Sequence, residues 1–268
     1  MGHALCACAR GSLSIEGQRY LLLQRLGEGG FSYVDLVERL QDGRFYALKR
    51  ILCHDKEDRR EALHERGTLW SEVEALRDKG TFLPEERIVP ILLGICRGLE
   101  AIHAKGYAHR DLKPTNVLLD DEEQPVLMDL GSMNQACIEV KGSREAMALQ
   151  DWAAQRCTIS YRAPELFTVE RDCVIDERTD IWSLGCVLYC MMFGEGPYDL
   201  IFQKGDSVAL AVQNQLHVPA SGRYSAALEH LLSSMMAVNP QDRPHISYIL
   251  DQLEGLQAAP SGQDTTRI

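Results

Sequence analysis

Between Tyr107 and Gly131 the chain reads Tyr-Ala-His-Arg-Asp-Leu-Lys-Pro-Thr-Asn, then an apolar run, then Asp-Leu-Gly. This places Asp111, Lys113, Asn116 and Asp129 within a few turns of chain. Two carboxylates, an amide and an ammonium that close make a site for hard cations and phosphate oxygens. Asn116 and Asp129 offer oxygen ligands to Mg²⁺, which keeps most of its waters and binds through few protein groups plus phosphates. Asp111, held apart from the metal, is placed to accept the proton of an attacking hydroxyl. Lys113 is placed to balance negative charge on a group in transfer. A lone His-Arg-Asp triplet would carry little weight, because Asp and Asn in loops are usually turn formers. The spacing of the whole stretch is what constrains the chain.

Upstream, Tyr20–Leu26 and Tyr33–Arg39 are rich in Leu, Val and Tyr and read as strands. They are joined by Gly27-Glu28-Gly29-Gly30-Phe31-Ser32, in which glycine lets backbone N–H groups approach an anion with no Cβ in the way. A strand, not a helix, follows the loop, which argues against a Rossmann or P-loop site. Asp42-Gly43 signals a turn and Phe45–Lys49 a third strand, whose period of two sets Phe45, Ala47 and Lys49 on one face.

Together these residues resemble the protein kinases. His109–Asn116 matches the catalytic loop H-R-D-L-x-x-x-N, and Asp129-Leu130-Gly131 matches the metal-binding D-F-G, with an apolar leucine in the middle position. The glycine hairpin resembles G-x-G-x-x-G-x-V, with Ser32 at the third glycine. Lys49 resembles the V-A-I-K lysine that holds the α and β phosphates. Cys157–Glu165 ends in the A-P-E motif. Lys113, two places after the aspartate, resembles serine/threonine rather than tyrosine kinases.

The resemblance implies an α+β bilobal kinase fold, ATP and Mg²⁺ as cofactors, and proteins with Ser or Thr hydroxyls as substrates, Tyr and autophosphorylation included. Asp111, Lys113 and Lys49 would be catalytic, and Asn116 and Asp129 would hold metal. Leu26, Gly27, Glu28, Gly29, Gly30, Phe31, Ser32, Tyr33, Val34, Ala47 and Lys49 would line the nucleotide site, with Val34 and Ala47 over the adenine. Thr158 would touch the catalytic aspartate and lysine. Asp180 would brace the catalytic loop, and Arg243 would pair with Glu165. Ser160 and Tyr161 stand as exposed hydroxyls open to phosphorylation.

One part of the family pattern is short. The lysine strand should lead to a helix whose glutamate pairs with the lysine, then to two further strands and the hinge, about 35 residues in all. Residues 51–66 supply one short charged helix, Lys56–Glu65, in which Glu61 or Glu65 would be the carboxylate partner. Gly67-Thr68-Leu69-Trp70 already resembles the segment after the hinge. The chain thus reads as residues 1–19, an N-terminal lipidated segment; 20–66, a truncated small lobe of three strands; 67–257, a complete, mainly helical large lobe; and 258–268, a disordered tail. The alternative to an active enzyme is a catalytically impaired, membrane-tethered interaction module.

Within the large lobe, Ile88 to Ile102 follows helical spacing and Gly106 ends the run. Pro90 belongs near that helix's first turn, since deeper inside it costs about 3 kcal/mol. Asp180–Phe193 reads as a buried helix. Gly131 to Pro164 reads as a long polar loop.

The net charge of −11 argues against nucleic acid. No apolar run reaches the roughly 18 residues that span a bilayer. The nine cysteines lack a C-x-x-C pair and suit reduced thiols. Gly2 stands where N-myristoylation requires glycine, and Cys6 and Cys8 stand where palmitoylation would add the second anchor that stable attachment needs. With the glycine loop and the Asp-Leu-Gly-Ser stretch, this start resembles the Numb-associated group of kinases. That resemblance implies a monomer in the cytoplasm and on the cytoplasmic face of Golgi and perinuclear membranes.

Overall fold

The computed structural model describes residues 11–15, 18–28, 32–43, 45–51, 67–120, 122–219 and 221–258. These fall into two compact units. The first consists of the described residues up to 51 with Met128–Gly131, and the second contains the rest.

In the first unit, strands β1 (Ser12–Ile15), β2 (Gln18–Glu28), β3 (Ser32–Arg39) and β4 (Phe45–Ile51) form one antiparallel sheet in sequence order. Three strands were expected. The fourth is β1, whose Ser-Leu-Ser-Ile pairs with Leu21–Gln18 across a two-residue connection, so the sheet begins inside the segment read as an N-terminal extension. Asp42-Gly43 turns the chain as expected: Gly43 takes φ 67°, its N–H donates to the Arg39 carbonyl over 2.9 Å, and Arg39 pairs with Asp42. The charged stretch Lys56–Glu65, with Glu61 and Glu65, lies outside the described residues, as does the tail beyond 258.

The second unit is built on helices. Thr68 caps α1 (Leu69–Asp78), its Oγ1 accepting from Ser71 N. Next comes α2 (Glu85–His103), which buries Ile88, Ile91, Leu92, Ile95, Leu99 and Ile102, the spacing read from the sequence. Pro90 lies in the second turn, not the first. Both it and Glu86, whose carbonyl loses its helical donor, are exposed. Three ribbons follow: β5 (Tyr107–Ala108) pairs with β8 (Asn134–Gln135), β6 (Val117–Leu119) with β7 (Pro125–Leu127), and β9 (Ile138–Val140) with β10 (Cys173–Ile175).

Between β9 and β10 the expected polar loop is instead a helix, α3 (Gly142–Arg156). Its inner face is Ala146, Leu149 and Ala153, packed with Val140, Cys157, Leu166, Val169 and Ile175 in a small core of its own. An alanine-based stripe hardly raises hydropathy, so the sequence reads as polar.

Helix α4 (Arg178–Phe193) is buried along nearly its whole length, as suits a central core helix. Gly194, at φ 85°, closes it by donating back to Cys190 O. After it come α5 (Asp199–Gln203), α6 (Val208–Ala211), α7 (Ala226–Met235), which packs on α4, and α8 (Ile246–Ala258), which packs on α2. Among the described residues no helix is long and apolar enough to cross a membrane.

Candidate active site

The turn after β5 carries the charged residues, anchored by Leu112, which is wholly buried. A single 3₁₀ turn, Pro114–Asn116, brings Asn116 back under Asp111. The Asn116 amide nitrogen donates to the Asp111 carbonyl over 2.8 Å and approaches Asp111 Oδ2 at 3.3 Å. Thr158, 47 residues away, donates its backbone N–H to Asp111 Oδ1 over 2.9 Å and its hydroxyl to the same oxygen over 2.6 Å. Lys113 Nζ donates to Thr158 Oγ1 over 2.8 Å and lies 3.4 Å from Asp111 Oδ2. Asp111, Lys113, Asn116 and Thr158 therefore form one hydrogen-bonded cluster. In it the carboxylate is oriented by fixed donors and an ammonium stands beside it. That arrangement can take a proton from a hydroxyl and steady negative charge next to it.

The loop is hung from α4. Asp180, fully buried, accepts His109 N at 2.7 Å and Arg110 N at 2.8 Å, and His103 Nε2 at 2.8 Å completes its shell. Burial alone would raise the Asp180 carboxyl. The His103 hydrogen bond and the nearby Arg110 charge overcome it and hold the group at about 2. Arg110 itself sits at φ 66°, an uncommon backbone state for a non-glycine residue. Its guanidinium donates to Asn134 Oδ1, Asp176 O, Thr179 Oγ1, Gln135 O and Ala136 O. A guanidinium has five N–H donors, so every one is engaged.

The segment after β8 is fixed by its own contacts. Arg243 forks onto Glu165 at 2.7 and 2.6 Å, the expected pair, and also donates to the carbonyls of Ala237, Arg178 and Val238. Its guanidinium also lies 5.3 Å from the ring centroid of buried Trp182. Ser160 and Tyr161 are not exposed: they keep 6% and 7% of their surface. Their turn packs under α4, where Ser183 Oγ donates to Tyr161 O over 2.8 Å and Tyr161 Oη reaches Asp199 Oδ2 at 3.4 Å. Burial pushes the Tyr161 phenol far up. Phosphate reaches either hydroxyl only if this turn opens.

The other sequence-derived residues lie in the first unit. Gly27 pairs with Val34 and Val34 with Lys49, so three strands set these positions in one row; Ala47 pairs with Leu36 in the next row on the same side. Leu26 and Glu28 lie on β2, and Ser32 and Tyr33 on β3. Asp129 holds φ 52°, and a Cβ on Gly131 would come within 3.2 Å of its Oδ1. Gly29, Gly30, Phe31, Gly2, Cys6 and Cys8 lie outside the described residues. The residues that sequence reasoning missed are His103, Ser132 and Arg162. Their partners are distant in sequence or are backbone atoms, which leave no motif.

A model of the protein kinase domain matches residues 65–253. The chain is 65% identical to serine/threonine-protein kinase 16 of Rattus norvegicus and of Homo sapiens, over 305 aligned positions that cover all of both chains. It is 28% identical to serine/threonine-protein kinase ppk13 of Schizosaccharomyces pombe, over 90% of this chain and 91% of that one. With the hydrogen-bonded Asp111–Lys113–Asn116–Thr158 cluster at its centre, the chain belongs to the protein kinase family and is a serine/threonine-protein kinase.

Proposed function

We propose that the chain transfers the γ-phosphate of ATP to Ser and Thr hydroxyls of proteins while anchored to membranes through acylated Gly2, Cys6 and Cys8. The observation that carries the chemistry is the double donation of Thr158 to Asp111 Oδ1, with Lys113 bonded to the same threonine. Asp111 orients and deprotonates the attacking hydroxyl, and Lys113 steadies charge on the phosphoryl group. Lys49 takes the nucleotide phosphates, under the glycine hairpin with Val34 and Ala47.

The donor chemistry fits a hard cation. Asn116 spends its nitrogen on Asp111, which leaves its oxygen as the acceptor end, and Asp129 supplies a carboxylate beside a glycine that leaves it room. When bound, Mg²⁺ neutralises phosphate charge.

Asp111→Asn keeps the side chain's volume and removes the proton acceptor. Turnover of a Ser/Thr peptide should fall below a few per cent, with the melting point within a few degrees of wild type. Retained turnover would rule Asp111 out as the base. The candidate acylation sites Gly2, Cys6 and Cys8 and the resemblance to the Numb-associated group support residence at the cytoplasmic face of Golgi and perinuclear membranes. Gly2→Ala should move the protein to the soluble fraction, and a variant that stays with the membranes refutes the anchor.

A second reading rests on a specific observation. The kinase-domain match begins only at residue 65, and the alignment to the mammalian relatives runs over 305 positions against 268 residues here. The excess is about a helix and two strands with their connections, which supports a shortened small lobe and a catalytically impaired form. A melting shift on adding Mg-ATP, about 2.7 kcal/mol at 100 times the dissociation constant, separates the two. No shift at millimolar ATP favours the impaired form.

A further inference from the structure

Three successive backbone groups at the end of α3 are each held by a different side chain. The Arg156 carbonyl accepts from Ser132 Oγ over 2.8 Å. The Cys157 carbonyl accepts from Arg162 Nη2 over 2.8 Å. The Thr158 amide donates to Asp111 Oδ1 over 2.9 Å. Ser132, Arg162 and Asp111 keep 9%, 9% and 7% of their surface, so water competes little for these bonds.

The last carbonyls of a helix have no intrahelical donor, and α3 ends at Arg156, where Cys157 leaves the helix at φ −102°, ψ 130°. The chain turns there from helix to extended segment, and the direction it takes decides where Thr158 arrives. Ser132 and Arg162 grip the two carbonyls on either side of that change of direction. Lys113 then closes the far side by donating to Thr158 Oγ1.

We propose that Ser132 is a positioning residue for phosphotransfer: its hydroxyl pins the Arg156 carbonyl and so aims the Cys157–Thr158 peptide at Asp111. It touches neither substrate nor Asp111. It acts through the backbone of residues 156–158, and the Arg162 bond is the second clamp on the same peptide run. The proposal rests on the reading of Asp111 as the base, but its structural half can be read without turnover.

Removing the hydroxyl leaves the peptide group after Arg156 held on one side alone, by the Cys157 N–H donating to Ala153 O over 2.9 Å, so its carbonyl end can swing. Thr158 N–H then spends part of its time off Asp111 Oδ1, and the carboxylate loses its fixed orientation. ATP binding is not touched, so the loss belongs to kcat and not to KM for ATP. Cys157 carries no such duty through its thiol. Burial raises that thiol to about 12, so it stays protonated.

The test uses the full chain and compares wild type with Ser132→Ala, Ser132→Thr and Ser132→Cys. Two readouts are taken: hydrogen exchange at the Thr158 amide, with α2 amides as reference, and steady-state kinetics with a Ser/Thr peptide. In Ser132→Ala the Thr158 amide should exchange about fivefold faster while α2 amides are unchanged. In the same variant kcat should fall about fivefold with KM for ATP constant, the effect of one lost buried hydrogen bond. Ser132→Thr keeps a hydroxyl and restores Thr158 protection. Ser132→Cys, close in shape but a weak donor, lies between and serves if the alanine variant does not fold.

Unchanged Thr158 exchange in Ser132→Ala overturns the proposal. So does a uniform loss of protection across the unit, which would mark Ser132 as a general stabiliser. Failure of the Asp111 reading shows separately, as turnover surviving in Asp111→Asn.

Discussion

At Asp180 a single carboxylate carries two backbone amides and an imidazole with no access to water. Its folded pKa, about 2, lies below the ordinary carboxylate value of 3.8. The stability it contributes is therefore present above about pH 4 and is lost as pH falls toward 2. The shift corresponds to about 2 kcal/mol. Acid titration of unfolding free energy should show this loss in wild type, and Asp180→Asn should lack it, starting from a lower plateau at neutral pH. Thr158→Val keeps the shape and removes the hydroxyl that joins Lys113 to Asp111. It should lower kcat by about tenfold, one charge-assisted hydrogen bond; an unchanged kcat would show that the backbone amide alone orients the carboxylate. The cluster around Asp111 was legible because Asp111, Lys113 and Asn116 lie within one loop and their spacing survives as text. His103, Ser132 and Arg162 were not legible. His103 and Ser132 act on groups far along the chain and Arg162 on a nearby backbone carbonyl, and nothing in a lone His, Ser or Arg announces such a partner.

Among the elements, glycines show how closely α2 packs against the ribbon beside it. A Cβ on Gly94 would meet Pro125 Cγ at 2.5 Å and Cδ at 2.6 Å, whereas one on Gly255, in α8, would meet nothing within 4 Å. Gly94→Ala should destabilise by about 1–3 kcal/mol through overpacking. Gly255→Ala should stabilise by up to about 1 kcal/mol through helix propensity. Urea unfolding of the two variants checks both signs, and equal effects would mean that α2 can shift off the ribbon. In α3, Leu149→Ala removes the largest side chain of that helix's inner stripe and should cost about 2–4 kcal/mol. Strands β2 to β4, α2 and α4 were readable because their apolar residues are large and periodic. Helix α3 was hidden by its alanines, and β1 by its four-residue length, its partner being needed to make it a strand.

At the scale of the molecule, burial among the described side chains is unevenly shared. Among the described side chains of the four strands only Asp35 and Val37 are buried, while α2, α4, α7 and α8 bury apolar residues along their lengths. Amides of β1 to β4 should exchange through openings of low free energy, and those of α2 and α4 only near global unfolding. Equal protection in both sets would show a single cooperative unit.

The closed shell around Arg110 has a consequence at this scale. A phosphate added anywhere along the segment would find no open donor on that guanidinium, and to bind it would have to displace carbonyls already in place. Charge chemistry at Arg110 is thus a poor lever for turning such a molecule on or off. The membrane anchor proposed at Gly2, Cys6 and Cys8 would leave encounter as what can be adjusted: how many copies there are, on which surface, and how long each stays near a substrate on that surface. With that anchor in place, confinement to two dimensions would work as a dial, because effective concentration depends on tether and span and not on any new contact.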